Sequence, residues 1–479
     1  MKIGKLKIIP MPKFYLTTPI YYVNGKPHIG HAYTTVAADV IARYQKQKIG
    51  AENVFFLTGT DEHGVHIADA AKANNKNLQE FCDEMAPHFK AAWQNLGIDY
   101  THFIRTTDTA HKNGAHAFLT TLKEKGALYE GEYKGLYCKG CESFITEKEL
   151  DKEGNCPHHQ KPPEMVSEKN WFFKLNHYLE DVHKAIADGV IKIEPEARKI
   201  EVLGLFKQGM SDFSISRPTV EWGIPLPWDK QHTIYVWVEA LLNYWTALFY
   251  PEDRPLQTQF WPPDLQIVGK DIIKFHCIYW PALLLAYYNG GAAHLPNKIF
   301  AHGFFTINGK KMSKTIGNVI NPNDLVARYG ADGARYLILT QFPFGADGDI
   351  HIEKFTEKYN ADLANGIGNL ASRIAALVGK HTALRTEVLT SAETMYGKNS
   401  ASNSYARAMD QVQLFEALHT IQNHIKDANE FFAKTCPWKI DPDSDTQSLI
   451  KILSEAVFRI LVIRDMIAPF MPQTAARLT

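Results

Sequence analysis

Hydrophobic and polar positions near the start of the chain follow a strand, helix and strand pattern. Residues 14–18 and 54–58 are short, largely apolar runs that predict buried strands. Between them, residues 32–47 carry apolar side chains at helical spacing, after a turn rich in Pro, Gly and Asn. This succession predicts a parallel unit, so we expect a doubly wound sheet with its ligand at the carboxyl ends of the strands.

The middle of the chain predicts the other half of this sheet and an insertion before it. Further strands are predicted at 233–237, 265–269 and 298–301, each followed by a segment that contains Gly or predicts a helix. Residues 126–163 are instead rich in Gly, Lys and Cys and poor in hydrophobic mass. A segment with so small a core needs a crosslink, such as a bound metal ion, to fold stably. It lies between the two predicted halves of the sheet.

The last quarter of the chain has the pattern of a helical bundle. From residue 355 onward Pro almost vanishes until Pro437, and long amphipathic runs such as 362–378 and 405–432 dominate. The predicted fold is therefore α/β, with a doubly wound, Rossmann-like parallel sheet, an inserted domain and a C-terminal α-helical bundle.

Composition narrows the class of protein. A chain of 479 residues with 45% hydrophobic content can bury a large core, and a prior of about 150 residues per domain predicts roughly three domains. Lys plus Arg and Asp plus Glu both number 52, so any RNA contact must come from local patches rather than from an overall positive field. Neither a membrane span nor a signal peptide is evident, so we expect a cytoplasmic protein. Residues 1–12 leave an organelle transit peptide as a minor alternative, and Met11 as an alternative start.

Two short motifs carry candidate phosphate chemistry. In His28-Ile29-Gly30-His31 the histidines are three apart at the opening of a predicted helix, so they share one face beside the positive end of its dipole. Lys311-Met312-Ser313-Lys314 lies on a loop flanked by Gly309 and Gly317, from which ammonium groups can reach a triphosphate. Each motif alone is weak, since the second also fits a solvated basic loop. Their joint presence on opposite halves of the sheet indicates adenylate chemistry.

Three of the six cysteines cluster in the inserted segment. Cys138, Cys141 and Cys156 are followed by a pair of histidines, giving C-x2-C and C-x2-H spacing that suits one tetrahedral structural zinc ion. His159 fits the spacing as the fourth ligand, and His158 is its rival. The other cysteines, Cys82, Cys277 and Cys436, are expected to be buried thiols.

Four further stretches of sequence are typical of a single protein family. They are TTPIYYVNG at 17–25, TGTDEHG at 58–64, VWVEA at 236–240 and GKDI at 269–272. Together with the two motifs they make the chain resemble the methionyl-tRNA synthetase family of class I, in its single zinc-knuckle form, over nearly its whole length. The resemblance implies activation of L-methionine with Mg-ATP to methionyl-adenylate and pyrophosphate, and then transfer of methionine to the 3′-terminal ribose of tRNA(Met).

The resemblance also implies which residues bind methionine. Asp61 would bind the ammonium group, and aromatic faces and edges would contact the thioether. The implied pocket consists of Ile20, Tyr22, Asp61, Trp237, Ala240, Leu241, Tyr244, Ile272, His276 and Trp280. Most of these aromatics, taken singly, would be interpreted as core residues, and Tyr22 and His276 are each candidates for a hydrogen bond near the sulfur.

The ATP site follows from the same resemblance. His28, His31, Lys311 and Lys314 are the implied catalytic residues, which stabilise charge on the phosphates. The implied ATP-binding residues are His28, Gly30, His31, Lys270, Asp271, Lys311, Ser313 and Lys314, with Asp271 on the ribose. The loop departs from the commonest family form at Thr315, where serine is usual; a hydroxyl remains, so we expect activity to survive.

The helical C-terminal part resembles the anticodon-binding domain of the family. Asn369 and Arg373 on one helix would read base edges, and Trp438 would stack on an unpaired base. We therefore expect initiator and elongator tRNA(Met) as partners. Family members often continue into a further tRNA-binding domain that also dimerises them, so a chain ending at Thr479 is expected to be a monomer or a shortened chain.

The resemblance supplies predicted domain boundaries. The two halves of the catalytic domain are predicted at 1–117 and 218–300, and the connective domain with the zinc knuckle lies between them at 118–217. The region of the Lys311–Lys314 motif, which would also contact the tRNA stem, is predicted at 301–355, and the anticodon-binding bundle at 356–479.

Three rival functions share parts of this pattern. A leucine, isoleucine or valine synthetase would need a large editing insertion, for which an insert of about 100 residues leaves no room. A nucleotidyltransferase that never touches tRNA shares the H-x-G-H turn, but it would not need the helical domain with Asn369, Arg373 and Trp438. A non-catalytic zinc and tRNA-binding module would not need both phosphate motifs.

Overall fold

The computed structural model describes residues 12–145, 147–157, 160–218, 220–249, 255–312, 317–397 and 403–478. Its strands are β1 (Phe14–Tyr22), β2 (Val54–Asp61), β3 (His102–Arg105), β4 (Leu128–Cys138), β5 (Ser143–Ile145), β6 (Glu164–Phe173), β7 (Lys192–Glu194), β8 (Phe213–Ser214), β9 (Ser216–Arg217), β10 (Thr233–Ile234), β11 (Leu265–Gly269), β12 (Lys298–His302), β13 (Phe305–Ile307), β14 (Lys310–Lys311) and β15 (Gly348–Ile350). Its α-helices are α1 (Ile29–Ile49), α2 (Val65–Ala73), α3 (Leu78–Asn95), α4 (Thr109–Glu124), α5 (Leu179–Ala187), α6 (Glu196–Gln208), α7 (Val236–Phe249), α8 (Pro255–Phe260), α9 (Trp280–Tyr287), α10 (Pro322–Leu339), α11 (Phe355–Tyr359), α12 (Asn369–Lys380), α13 (Arg385–Gly397), α14 (Asn403–Asp410), α15 (Leu414–Thr435), α16 (Thr446–Ile467) and α17 (Pro472–Ala476).

The chain forms two compact units, each of which is a set of segments that mainly contact one another. Unit 1 comprises Met1–Lys26, Ile49–Ala91 and Tyr100–His302, and unit 2 comprises Pro27–Lys48, Ala92–Asp99 and Gly303–Thr479. None of the described helices is both long and apolar enough to cross a lipid bilayer.

A parallel sheet of six strands organises unit 1. Its order is β3-β2-β1-β11-β12-β7, and every neighbouring pair is parallel. The chain order reverses between β1 and β11, which makes this pair the switch point where open α/β sheets bind ligands. All 8 residues of β2 are buried, as expected of a parallel strand covered on both faces. The predicted doubly wound α/β fold is confirmed.

One predicted strand of this sheet was wrong. Of residues 233–237, only Thr233–Ile234 are extended, and they pair antiparallel with β9 outside the main sheet. Helix α7 begins at Val236 and is buried on almost every side. A short apolar run in a fully buried helix has no polar face, so its periodicity does not distinguish it from a strand. The two edge strands of the sheet are β3 and β7, short segments that were not predicted from the sequence.

The inserted segment folds as an antiparallel sheet in the order β5-β4-β6-β8. Strands β4 and β6 form a long ladder that runs from Leu128 opposite Phe173 to Tyr137 opposite Glu164. Most of β4 is exposed or half-buried, and a small separate core at its end contains Cys138, Ile145 and Cys156. The insertion itself was predicted from the sequence, but its strands were not.

The C-terminal part of unit 2 is helical, as predicted, but each of the two predicted runs is interrupted. Residues Asn360–Gly368 form a π-helical segment with a non-helical Gly366, so the predicted run 362–378 is not one continuous helix. Val412, at φ 61°, separates α14 from α15 within the predicted run 405–432. Cys82 and Cys277 are buried, but Cys436, which ends α15 in a left-handed conformation at φ 44°, is half-buried. The expectation that Cys436 is a buried thiol was therefore wrong.

Candidate active site

Asp61 and Tyr22 lie side by side at the carboxyl ends of β2 and β1, where they are register partners. Asp61 is 4% exposed, and its Oδ1 has no hydrogen-bond partner among the described residues. Burial, reinforced by the nearby Glu239 and Glu142 carboxylates, holds the pKa of Asp61 well above its ordinary value. A buried carboxyl group with an unused oxygen at a switch point is suited to an incoming cation such as an ammonium group.

Two residues beside Asp61 were not singled out by the sequence analysis. His63 Nδ1 lies 2.7 Å from Glu239 Oε1, and both side chains are buried. Within the described part of the chain, Glu239 Oε2 has no hydrogen-bond partner. His63 lies in the stretch 58–64 and Glu239 in the stretch 236–240, both of which resemble the family. Their position in these stretches, rather than their residue type, could have identified them. The site thus brings the buried carboxyl groups of Asp61 and Glu239 together with a buried histidine.

Tyr244, His276 and Ile272 form a hydrogen-bonded chain. His276 Nδ1 lies 2.9 Å from the carbonyl oxygen of Ile272, and its Nε2 lies 2.8 Å from the Tyr244 hydroxyl. Burial lowers the pKa of His276 to about 4, so the ring is neutral near pH 7. Because a carbonyl only accepts, Nδ1 carries the proton and Nε2 accepts from Tyr244. Both ring nitrogens are therefore engaged within the protein, which leaves neither for a thioether sulfur.

The remaining predicted pocket residues join the same apolar cluster. Leu241, Tyr244 and Trp280 belong to the core of unit 1, against which Ile20, Tyr22, Trp237 and Ile272 pack as half-buried side chains. Trp237 stacks on Phe275 with ring centroids 4.2 Å apart, and Trp280 lies 6.1 Å from the Tyr244 ring. Ala240 is also buried. The half-buried members are the ones that can present a surface to a ligand.

Lys270 and Asp271 follow the carboxyl end of β11. They form a short 3₁₀ turn with Ile272 directly after Gly269, next to β1 in the sheet. Lys270 is half-buried and Asp271 is exposed. This position at the switch point is where a nucleotide binds in folds of this type.

The two histidines of the first motif stack on each other in unit 2. Their ring centroids are 3.7 Å apart, at an interplanar angle of 19°. The backbone N–H of Gly30 donates to His28 Nδ1 at 3.1 Å, and that of His28 donates to His31 Nδ1 at 3.3 Å. Since each Nδ1 accepts, each Nε2 carries the ring proton and is a donor. A Cβ on residue 30 would lie 2.9 Å from the His28 ring, so any other residue here would displace that ring.

The second motif emerges from the β13–β14 hairpin of the same unit. Lys311 pairs with Thr306 and is exposed, while Met312 reaches to within 3.4 Å of the position that a Cβ on Gly30 would take. The backbone N–H of Ile29 donates to the carbonyl of Ile320 at 2.9 Å, just beyond the loop. The two motifs are thus adjacent in unit 2. Ser313 and Lys314 lie outside the described residues.

The three cysteines of the inserted segment converge. Their sulfur atoms all lie within 4.8 Å of one another, and those of Cys141 and Cys156 are 3.5 Å apart. Tetrahedral zinc with Zn–S bonds of about 2.3 Å separates its sulfur ligands by about 3.8 Å, so these thiols fit such an ion. Burial and the neighbouring Cys156 and Cys138 thiols raise the pKa of Cys141, which a bound cation would reverse. His158 and His159 lie outside the described residues.

Arg373 and Trp438 come together in the helical bundle. The Arg373 guanidinium lies 5.4 Å from the centre of the Trp438 ring and 5.2 Å from that of Phe432. Trp438 is 46% exposed, which is unusual for a tryptophan and leaves part of its surface accessible for stacking. Asn369 is exposed at the start of α12, one turn before Arg373. Phe432, which supports both partners from the core, was not predicted.

Comparisons with known proteins agree on one family. Residues 14–162 and 159–375 match the family described as tRNA synthetases class I (M). The methionine–tRNA ligase of Thermotoga maritima is 42% identical over 474 residues, which cover 97% of this chain and 74% of that protein. The methionine–tRNA ligase of a Nostoc species is 39% identical over 479 residues, covering 97% and 89%.

Solved structures give the same result. Mycobacterium tuberculosis methionyl-tRNA synthetase in complex with methionyl-adenylate is similar with a TM-score of 0.88 and 33% identity, over 98% of this chain and 93% of that chain. The apo form of the same enzyme has a TM-score of 0.79 at 31% identity, over 98% and 91%.

Proposed function

This chain belongs to the class I tRNA synthetase family of the methionine–tRNA ligases, and we propose that it activates L-methionine with ATP and transfers it to tRNA(Met). The observation that carries the choice of substrate is the buried Asp61 carboxyl group, whose Oδ1 has no partner in the described part of the chain, beside the apolar cluster of Tyr22, Trp237 and Tyr244. A cationic ammonium group and an apolar thioether chain match these two surroundings.

The amino acid is held by its ammonium group and by its side chain. We propose that Asp61 accepts from the ammonium group, which places a positive charge among Asp61, Glu239 and Glu142 and relieves their mutual repulsion. The half-buried aromatic surface of Tyr22 and Trp237 then packs against the thioether. Ile20, Ala240, Leu241, Tyr244, Ile272, His276 and Trp280 complete the proposed pocket.

Activation proceeds without a covalent protein nucleophile. The methionine carboxylate attacks the α-phosphorus of Mg-ATP, forming methionyl-adenylate and releasing pyrophosphate. The Nε2–H groups of His28 and His31 are proposed to donate to phosphate oxygens, since their Nδ1 atoms accept from the backbone. Lys311, Ser313 and Lys314 are proposed to meet the charge on the leaving pyrophosphate, with Lys270 and Asp271 at the nucleoside.

Transfer to tRNA also requires recognition of the anticodon, which is far from the 3′ end that receives methionine. We propose that Trp438 stacks on an anticodon base and that Asn369 and Arg373 hydrogen-bond to base edges. The Arg373 guanidinium near the Trp438 ring and the partial exposure of Trp438 support this assignment. Both initiator and elongator tRNA(Met) are the proposed substrates, the proposed location is the cytoplasm, and the proposed state is a monomer. The predicted domain boundaries at 117, 217, 300 and 355 remain proposals.

The proposed zinc site is structural. One Zn²⁺ would be held by Cys138, Cys141, Cys156 and His159. These four protein ligands complete a tetrahedral coordination shell, which leaves no open position for catalysis. When bound, the ion supplies a rigid crosslink to a sheet end whose own core is small.

Pyrophosphate exchange with each of the twenty amino acids tests the proposal. We expect ATP formation from labelled pyrophosphate with L-methionine alone. Exchange with another amino acid, or with none, would refute methionine activation. Exchange with methionine but no charging of any tRNA would reduce the proposal to a nucleotidyltransferase-like activity.

A further inference from the structure

Glu142 occupies an unusual position immediately after Cys141. It is 2% exposed and has a left-handed backbone at φ 47°, a conformation that non-glycine residues seldom adopt. Its backbone N–H closes the turn by donating to the carbonyl of Lys139 at 3.2 Å. The turn therefore aims a carboxylate inward, away from solvent, at the point where the cysteine-bearing loop ends.

One oxygen of this carboxylate is engaged by a proposed methionine contact, and the other by the start of a helix. The Tyr22 hydroxyl donates to Oε2 at 2.7 Å, and the backbone N–H of His66 donates to Oε1 at 3.0 Å. His66 lies in the first turn of α2, so Glu142 caps that helix from outside it. A Cβ on Gly64, which has φ 103°, would lie 2.9 Å from Oε2, so the cap depends on glycine there.

The backbone of the same loop fixes more of the site. The carbonyl of Cys141 accepts from Trp237 Nε1 at 3.1 Å, and that of Glu142 accepts from the Tyr235 hydroxyl at 2.7 Å. Tyr22 and Trp237 are two of the proposed methionine contacts. The loop that carries two of the clustered cysteines is thus hydrogen-bonded to both of them.

We infer that Glu142 is a positioning residue of the methionine site, which fixes the orientation of the Tyr22 ring and joins the cysteine loop to the pocket. The inference rests on the proposed function, since it assumes that methionine binds beside Tyr22. Because the Tyr22 hydroxyl donates to Glu142, Tyr22 presents its ring rather than its donor to the ligand. Charge-assisted hydrogen bonds of this kind are strong enough that losing them should change affinity about ten-fold.

Calorimetric titration of the whole chain with L-methionine tests this inference. Glu142→Gln removes the charge but keeps the shape, and we expect the dissociation constant for methionine to rise about ten-fold. In pyrophosphate exchange, KM for methionine should rise by the same factor, while kcat and KM for ATP stay within about two-fold of wild type. Glu153→Gln is the matched control, because Glu153 is an exposed glutamate of the same inserted segment. Zinc content should be unchanged in both variants, which separates the effect from loss of the metal.

Tyr22→Phe completes the test. If the two side chains act together, the double variant Glu142→Gln, Tyr22→Phe should bind methionine no more weakly than Glu142→Gln alone. Wild-type affinity in Glu142→Gln, or full additivity in the double variant, would overturn the inference. If Glu142→Gln does not fold, unchanged methionine affinity in Tyr22→Phe overturns it instead. No methionine binding by the wild-type chain would overturn the proposed function itself, and the inference with it.

Discussion

Arg335 and Asp39 form a buried ion pair within unit 2, with Arg335 Nη2 2.6 Å from Asp39 Oδ2 and side chains 1% and 0% exposed. Arg335 also donates to the carbonyls of Phe470 and Pro469, at 2.7 Å and 2.8 Å. Asp39 lies on α1, the helix that opens with the stacked histidines. One guanidinium therefore ties α1 to α10 and to the segment that follows α16.

Replacing Arg335 should destabilise the protein strongly. Arg335→Met leaves the Asp39 carboxylate buried with one cation fewer, so we expect the free energy of unfolding to fall by about 3 kcal/mol. Arg459→Met is the matched control, because Arg459 pairs with Glu455 on the partly exposed face of α16 and should cost less than about 1 kcal/mol. Urea unfolding measures both, and similar losses in the two variants would contradict a special role for Arg335.

Asp61→Asn should separate stability from function. The pKa of Asp61 is raised in the folded chain above the ordinary 3.8, so folding disfavours its charge. The wild type therefore loses stability as pH rises from about 3.8 through the raised pKa, and Asp61→Asn lacks this loss. We expect the variant to be more stable than wild type at neutral pH, with the difference vanishing near pH 3.8, and its methionine affinity to fall at least about 100-fold. Denaturation at both pH values and calorimetry with methionine measure these effects. A less stable variant would show that the site is not electrostatically strained.

His276 should make stability fall in mild acid. Its pKa is lowered from 6.5 to about 4 by burial, so the folded chain binds fewer protons than the unfolded chain between these values. Stability from this group is present above pH 6.5 and is lost as pH falls toward 4. His276→Gln should lose less stability than wild type over that interval in urea unfolding measured at pH 7 and pH 4.5. Parallel losses in the two proteins would rule out the assignment.

Metal analysis should find one zinc ion per chain in the purified protein. Cys156→Ser removes a proposed ligand that is fully buried in the small core of the inserted sheet, so we expect substoichiometric zinc and a lower thermal midpoint. Cys436→Ser is the control, since Cys436 ends α15 and should leave zinc content unchanged. Absence of metal from the wild type would refute the proposed knuckle.

Trp438→Ala should weaken charging without affecting activation. Losing a stacking surface costs about 1 to 3 kcal/mol per base, so kcat/KM for tRNA should fall at least about ten-fold. Pyrophosphate exchange, which needs no tRNA, should be unchanged and is the internal control. Equal loss in both reactions would indicate that Trp438 acts through folding of the bundle.

The sequence by itself determined the features that depend on short-range pattern. The β1, α1 and β2 unit, the helix that opens at the paired histidines, the cysteine spacing and the helical C-terminal part are each encoded within about 50 residues, where periodicity and motif spacing are informative. The strand predicted at 233–237 was wrong because a helix that is buried on all sides does not alternate apolar and polar positions with a helical period.

Only the tertiary structure decided which distant side chains meet. Glu142 and Tyr22 are 120 positions apart, and His63 and Glu239 are 176 apart. Nothing in a charged residue's local sequence states that it will be buried, because burial of a charge is stable only when a partner arrives from elsewhere in the fold. The sequence could therefore propose which groups bind the substrates, whereas the residues that hold those groups in place became visible only in the folded chain.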